Sequence, residues 1–257
     1  MSTTLVSGHA PALHLEVIRI PPQRPFQWIA QGWRDLRRHW ATSLGYGALI
    51  AALGWSVLVL CGTHPYLIAA AISGFLLVGP PMSAGLCEMS RRYSLGEPAS
   101  FDESLDGFAR NFTALFEFGV ILAICAVIWF ALSAVLLDKV FHVALPTLGA
   151  TMYQGFLAST NRTQVLAYIV IGGLLAVGVF AVSVVAIPLM IDRHASVGQA
   201  MRASVGVAAA NVPAMLIWSG LILVLTIAGY ATFLAGLVLI VPLLGHATWH
   251  AYKGTIR

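Results

Sequence analysis

Apolar stretches of membrane length alternate with short polar segments along this chain, and the changeovers follow a repeating plan. From Ile187 to Trp218 an apolar run reaches Pro188 and leaves the apolar pattern at Asp192, Arg193 and His194. An amphipathic segment covers Ser196–Ala210, and Asn211 and Pro213 turn the chain into the next apolar run. A looser copy spans Pro80–Phe118. A half copy opens at Pro25, and another half copy, V-P-L-L-G-H-A-T-W-H-A-Y-K, lies near the end. The pattern predicts an all-α, polytopic membrane helix bundle: six spans as three hairpins, joined by amphipathic elbow helices on one side.

Each elbow has its own local signal. Phe26, Ile29, Ala30, Trp33, Leu36 and Trp40 share a helical face, with Gln27, Gln31, Arg34, Asp35 and Arg38 mostly on the other, which predicts a helix lying in the headgroup layer. Ser100 and Glu103 have capping-box spacing ahead of Phe101, Leu105 and Phe108. The spans are expected at about 44–62, 66–87, 112–137, 165–191, 213–228 and 232–248. The last two come from one uncharged stretch, Pro213–Gly245. As a single helix it would be roughly 50 Å long, against roughly 30 Å of hydrocarbon, so it is split near Gly229–Thr232. Pro80 and Pro81, after Gly79, and Pro188 are expected to kink their helices. Residues 1–24, with Pro11, Pro21 and Pro22, are expected to form a flexible N-terminal segment, and residues 25–257 a single membrane domain.

Composition agrees. The chain is 59% hydrophobic and 9% charged, with mean hydropathy +0.85, where soluble domains carry about 25% charged residues. The net charge of +4 is an orientation signal and no nucleic-acid footprint. With six spans, Lys139 and Arg162 fall on one side and the other twelve of the 14 Lys and Arg residues on the opposite side. That asymmetry puts both termini and all elbows in the cytoplasm, where the basic groups attract anionic lipid. Cys61, Cys87 and Cys125 show neither zinc nor disulfide spacing.

Candidate chemistry is sparse. Phosphate-cradling, nucleophile-elbow and zinc-protease motifs are missing, so no catalytic residue is assigned. Glu117, about five residues into the third span, is the intramembrane carboxylate to weigh; at that depth it reaches headgroups or Arg110. His246 and His250 are four apart and share a helix face. With His194 and His39 at the same expected depth, and Asp192 nearby, they form a conceivable metal or haem site. Against that, Trp249 and Tyr252 beside them suggest an aromatic belt with interfacial histidines. On that reading no cofactor is expected, and His246 should be the more buried of the pair.

The segments P-F-Q-W-I-A-Q-G-W-R-D-L, G-F-L-L-V-G-P-P-M-S-A-G-L, S-R-R-Y-S-L-G-E-P and V-P-L-L-G-H-A-T-W-H-A-Y resemble a bacterial family of predicted six-span integral membrane proteins of unknown function, some labelled cytochrome c oxidase. The resemblance implies a place in the bacterial inner membrane and an association with a respiratory complex. An oxidase catalytic subunit carries histidines deep inside its helices; here none lies mid-span. The favoured expectation is a non-catalytic protein that binds other membrane proteins or its own copies, as an accessory or assembly factor. The other readings are a transporter or channel for a small neutral or amphipathic solute, and a metal- or haem-binding membrane protein.

Overall fold

The computed structural model describes residues 15–61, 83–141 and 162–257. Pro80, Pro81, most of the second expected span and the 142–161 connection lie outside the described residues. Among the described residues the chain is helical, with one isolated bridge between Val17 and Ile256. The helices are α1 (Arg24–Arg38), α2 (Trp40–Cys61), α3 (83–95), α4 (Phe101–Arg110), α5 (Phe112–Phe141), α6 (Arg162–Ser183), α7 (Ala186–Arg193), α8 (Val197–Ala210), α9 (Val212–Ala231) and α10 (Leu237–Thr255). Among the described residues three segments are long and apolar enough to cross a membrane: Phe112–Trp129, Val170–Arg193 and Val212–Ala231. The uncharged Pro213–Gly245 stretch contains a turn at residues 232–236.

The elbows are α1, α4 and α8, and each meets the following long helix through a single non-helical residue. His39 (φ −132°, ψ 59°), Asn111 (φ −149°, ψ 58°) and Asn211 (φ −129°, ψ 35°) occupy the same region of backbone space. Each also accepts the first backbone bond of the next helix, from the N–H of Ser43, Leu115 and Met215 respectively. The N-termini are capped as the spacing demands: Ser100 N–H donates to Glu103 Oε2 at 2.9 Å, and Ser196 N–H to Gln199 Oε1 at 3.0 Å.

The junction residues also link the three units in a circle. His39 stacks on Tyr93 near the end of α3, with ring centroids 5.2 Å apart. Asn111 donates to the carbonyls of Met190 and Ala195, at the end of α7. Asn211 donates to Ile18 O and accepts from Ile20 N–H. Ile18 in turn pairs with Thr255 at the end of α10, while Glu16 and Arg257 exchange two backbone bonds. Residues 15–20, inside the segment expected to be flexible, therefore run between α8 and the end of α10. The circle makes α10, α1 and α2 one unit, equivalent to α3–α4–α5 and to α7–α8–α9. The two half copies seen in the sequence pack against each other.

Pro188 explains the interruption between α6 and α7. Its nitrogen has no hydrogen to give to the carbonyl four residues back, and its ring crowds that carbonyl. Residue 184 is that position, and the helix breaks at Val184 and Val185. The break orphans the Val185 N–H, which donates to the buried Ser204 Oγ of α8 at 3.3 Å. The elbow layer is closed by large side chains: Trp28, Phe118, Trp218, Trp249 and Tyr252 are all almost completely buried. Trp28 and Trp218 meet edge to face.

Asp35, expected on the polar face of α1, is buried. α1 buries Pro25, Trp28, Gly32, Asp35 and Leu36 and leaves Phe26, Trp33 and the neighbouring Trp40 exposed. Most of the apolar face is outward, and α10 supplies a polar partner for Asp35 on the inner side.

Candidate functional site

Two buried polar clusters sit where the elbows meet the ends of the long helices. The first links four helices. His246 on α10 is fully buried, with Nε2 3.0 Å from Ser43 Oγ of α2 and Nδ1 2.8 Å from Ser90 Oγ of α3. Ser90 Oγ donates to Asp35 Oδ2 of α1 at 2.8 Å. His250, one turn further along α10, meets the same Oδ2 at 2.7 Å.

Proton counting orients this chain. An ionised carboxylate only accepts, so Asp35 takes the single hydroxyl proton of Ser90 and the Nε2 proton of His250. Ser90 then has only lone pairs for His246, so Nδ1 of that ring carries its proton. In the neutral ring Nε2 is the acceptor and Ser43 donates to it. The hydrogen bonds therefore all run one way, from Ser43 through His246 and Ser90 to Asp35. Burial alone would push the Asp35 carboxyl up; the hydrogen bonds from His250 and Ser90, with the electrostatic pull of the histidines, outweigh it and hold the group below its usual value.

Ser43 donating to an imidazole is the geometry that activates a nucleophile. Ser43, however, is completely buried, and no substrate atom can reach its Oγ in this arrangement. What the chain does here is pair the buried polar groups Ser43, His246, Ser90 and Asp35 where four helices meet.

The second cluster centres on Glu88 of α3, also completely buried. Arg91 holds it with two hydrogen bonds, both 2.8 Å. Arg92 Nε donates at 3.0 Å. Arg110 Nε lies 2.9 Å from Oε2, near enough for an ion pair but without hydrogen-bond alignment. Arg92 also pairs with Asp106, and Arg91 lies 3.6 Å from Glu97. Here too burial pushes the carboxyl up, and the Arg91 hydrogen bond and the charges of Arg91 and Arg110 hold it down.

The residues singled out from sequence are distributed as follows. His246 and His250 share one network, with His246 the more buried. His39 lies on Tyr93, and His194 sits exposed in the left-handed conformation at the end of α7 (φ 51°). The four rings do not converge. Asp192 accepts from Tyr252 Oη at 2.6 Å and lies 3.5 Å from Lys253 Nζ, while the carboxylate beside His250 is Asp35. Among the described residues no group of three or more His, Cys, Asp or Glu side chains is arranged to hold a metal. Glu117 is on the exposed side of α5, and Arg110, weighed as its partner, is engaged by Glu88. Glu88, Ser43, Ser90 and Asp35 carry no motif that marks them as a set in the sequence. The Glu88, Arg91, Arg92 spacing, i to i+3 and i+4, was the available signal for the second cluster.

The match to known families bears on this layer. The model of a family described as "Predicted integral membrane protein (DUF2189)" matches residues 67–192. That stretch holds the Glu88 cluster and the Asn111 junction, and among the described residues three segments are long and apolar enough to span. The chain is an integral membrane protein. No curated protein and no solved structure matches it.

The depressed carboxyls make stability pH-dependent. A carboxylate held below its free value adds stability that is complete above about pH 4 and is lost as pH falls through the lowered value. Thermal unfolding in detergent should therefore show a melting temperature that drops on acidification below that point. Asp35→Asn should lower the plateau and remove its share of the slope. An acid limb of unchanged steepness in that variant would show that Asp35 gains nothing from its partners.

Proposed function

We propose that the chain is a non-catalytic inner-membrane protein that binds other membrane proteins or its own copies, with six spans as three hairpins and both termini and all elbows in the cytoplasm. The twelve-to-two distribution of Lys and Arg supports that orientation. The observation that carries the binding role is how little of the membrane-length segments the chain covers itself: 28% of Phe112–Trp129, 44% of Val170–Arg193 and 22% of Val212–Ala231 is buried. On those uncovered surfaces Gly119, Gly173, Gly178 and Gly220 open onto empty space, notches that admit the close approach of another helix. The polar groups of the elbow layer are meanwhile tied to one another, and large side chains fill that layer, which favours binding over conduction. A respiratory complex as the partner rests on the sequence resemblance alone.

Crosslinking in cells followed by purification in mild detergent tests the proposal. A stable partner or a homo-oligomer is expected, and Gly173→Leu with Gly178→Leu should weaken it. Recovery as a monomer, with nothing crosslinked, would sink the reading.

A further inference from the structure

Counting from the junction residues, the elbows present matching apolar positions outward. Six residues before each junction stand Trp33, Leu105 and Val205, exposed by 40%, 44% and 43%. One residue after it stand Trp40, Phe112 and Val212, exposed by 63%, 64% and 50%. Equivalent positions in all three units thus offer apolar side chains to the outside, around the junctions where the elbows meet the long helices. Such a belt fits the boundary between acyl chains and headgroups.

The charges break the threefold pattern. In α4 the outward groups are acidic, Asp102 and Asp106, and Asp106 is engaged by Arg92. In α8 the outward charge is Arg202 alone. α1 differs from both. Its one acid, Asp35, is turned inward and is committed to Ser90 and His250. Arg34, Arg37 and Arg38 are exposed. Among the described residues no carboxylate lies within ion-pair distance of Arg34 or Arg37, and Arg38 lies over the Tyr93 ring. At 3.6 residues per turn Trp33, Arg34 and Arg37 form one patch, since Arg37 follows the other two by four and three positions. In sequence the arginines surround an aspartate; in the fold that aspartate is withdrawn and the surface is cationic.

We propose that the outer face of α1 is a binding surface for anionic phospholipid headgroups. Trp33 and Trp40 sit at the acyl boundary, and Arg34 and Arg37 contact the phosphates, where planar guanidinium groups bond two oxygens at once. This rests on the chain being an integral membrane protein with its elbows at the membrane surface, and is independent of whether it binds other proteins.

The test is lipid retention by the full-length protein in detergent, titrated with phosphatidylglycerol or phosphatidylcholine and read by native mass spectrometry. The wild type should retain phosphatidylglycerol in preference. Arg34→Gln with Arg37→Gln should weaken that retention roughly 10- to 30-fold, at the contribution typical of each basic residue near an anionic surface. Arg202→Gln should leave it within a factor of about 3, being a lone charge on the apolar α8 face. Arg34→Lys with Arg37→Lys keeps the charge and loses the planar fork, so it should retain more phosphatidylglycerol than the Gln variant and less than the wild type, which separates lost charge from a damaged fold. Equal retention of the two lipids, or equal retention by wild type and the Gln variant, overturns the proposal. So does a Gln variant that loses a co-purifying protein while its lipid retention is unchanged, since the face would then belong to that protein.

Discussion

Glu88→Gln is expected to destabilise the protein by about 3–5 kcal/mol, the range for removing one partner of a buried ion pair. The substitution preserves size, but it removes the charge and replaces one accepting oxygen with an NH2 that faces an arginine donor, so lost charge and a lost acceptor act together. Arg91, Arg92 and Arg110 converge on this carboxylate, and the side chains of Arg91 and Arg92 are only 9% and 15% exposed. Without Glu88 they would repel one another with little water to screen them. Glu97→Gln is the comparison. It also faces Arg91, but at 3.6 Å and 45% exposed, and a pair of that kind is worth about 1 kcal/mol or less. Denaturant unfolding in a fixed detergent should separate the two variants clearly. Equal shifts would mean that the buried position of Glu88 is irrelevant to its worth.

The second large effect is expected where α2 and α1 touch α10. A methyl group on Gly47 would fall inside the Val238 carbonyl, and one on Gly32 would lie 2.8 Å from Ala247 N and 2.9 Å from Leu243 O. These obstacles are main-chain atoms, which cannot swing aside as a side-chain tip would, so the helices must separate. Overpacking costs about 1–3 kcal/mol and sometimes more; Gly47→Ala and Gly32→Ala belong at the upper end. Separation would also stretch the Ser43–His246 and Asp35–His250 contacts, which span the same two helix pairs. Gly45→Ala, two residues from Gly47 but facing open space, should be neutral or slightly stabilising. Melting temperatures of the three variants decide the matter: a Gly45 variant as damaged as the Gly47 variant would point to helix flexibility and away from close packing.

Local signals made part of this fold readable. The Ser100–Glu103 spacing marks a real helix start, and Asn211 before Pro213 marks a real junction. The inner face of α1 was not readable. Trp28, Gly32 and Asp35 form a face that looks poor for burial until the chain brings up His250, whose ring answers the carboxylate. Phe26, Trp33 and Trp40, read as the apolar face of a helix in the headgroup layer, stand outside, and at a bilayer surface an exposed aromatic side chain has a favourable place. The candidate site was hidden for a similar reason. Ser43, Ser90 and Asp35 are unremarkable residues in three separate segments, and only packing makes them neighbours of His246. His39 and His194 share an expected membrane depth with that ring, but depth says nothing about which way around the bundle a side chain points.

The pairing of α1 with α10 also sets a timetable. Asp35 and His250 are 215 positions apart, so the ribosome finishes α1 long before its packing partner exists. During that interval Trp28 and the Asp35 carboxylate have no protein surface to cover them, and the nascent elbow must wait, with the lipid surface its nearest shelter. Contacts this distant along the chain are slow to form. α1 is thus made long before α10 and reaches its native packing only after α10 is in place.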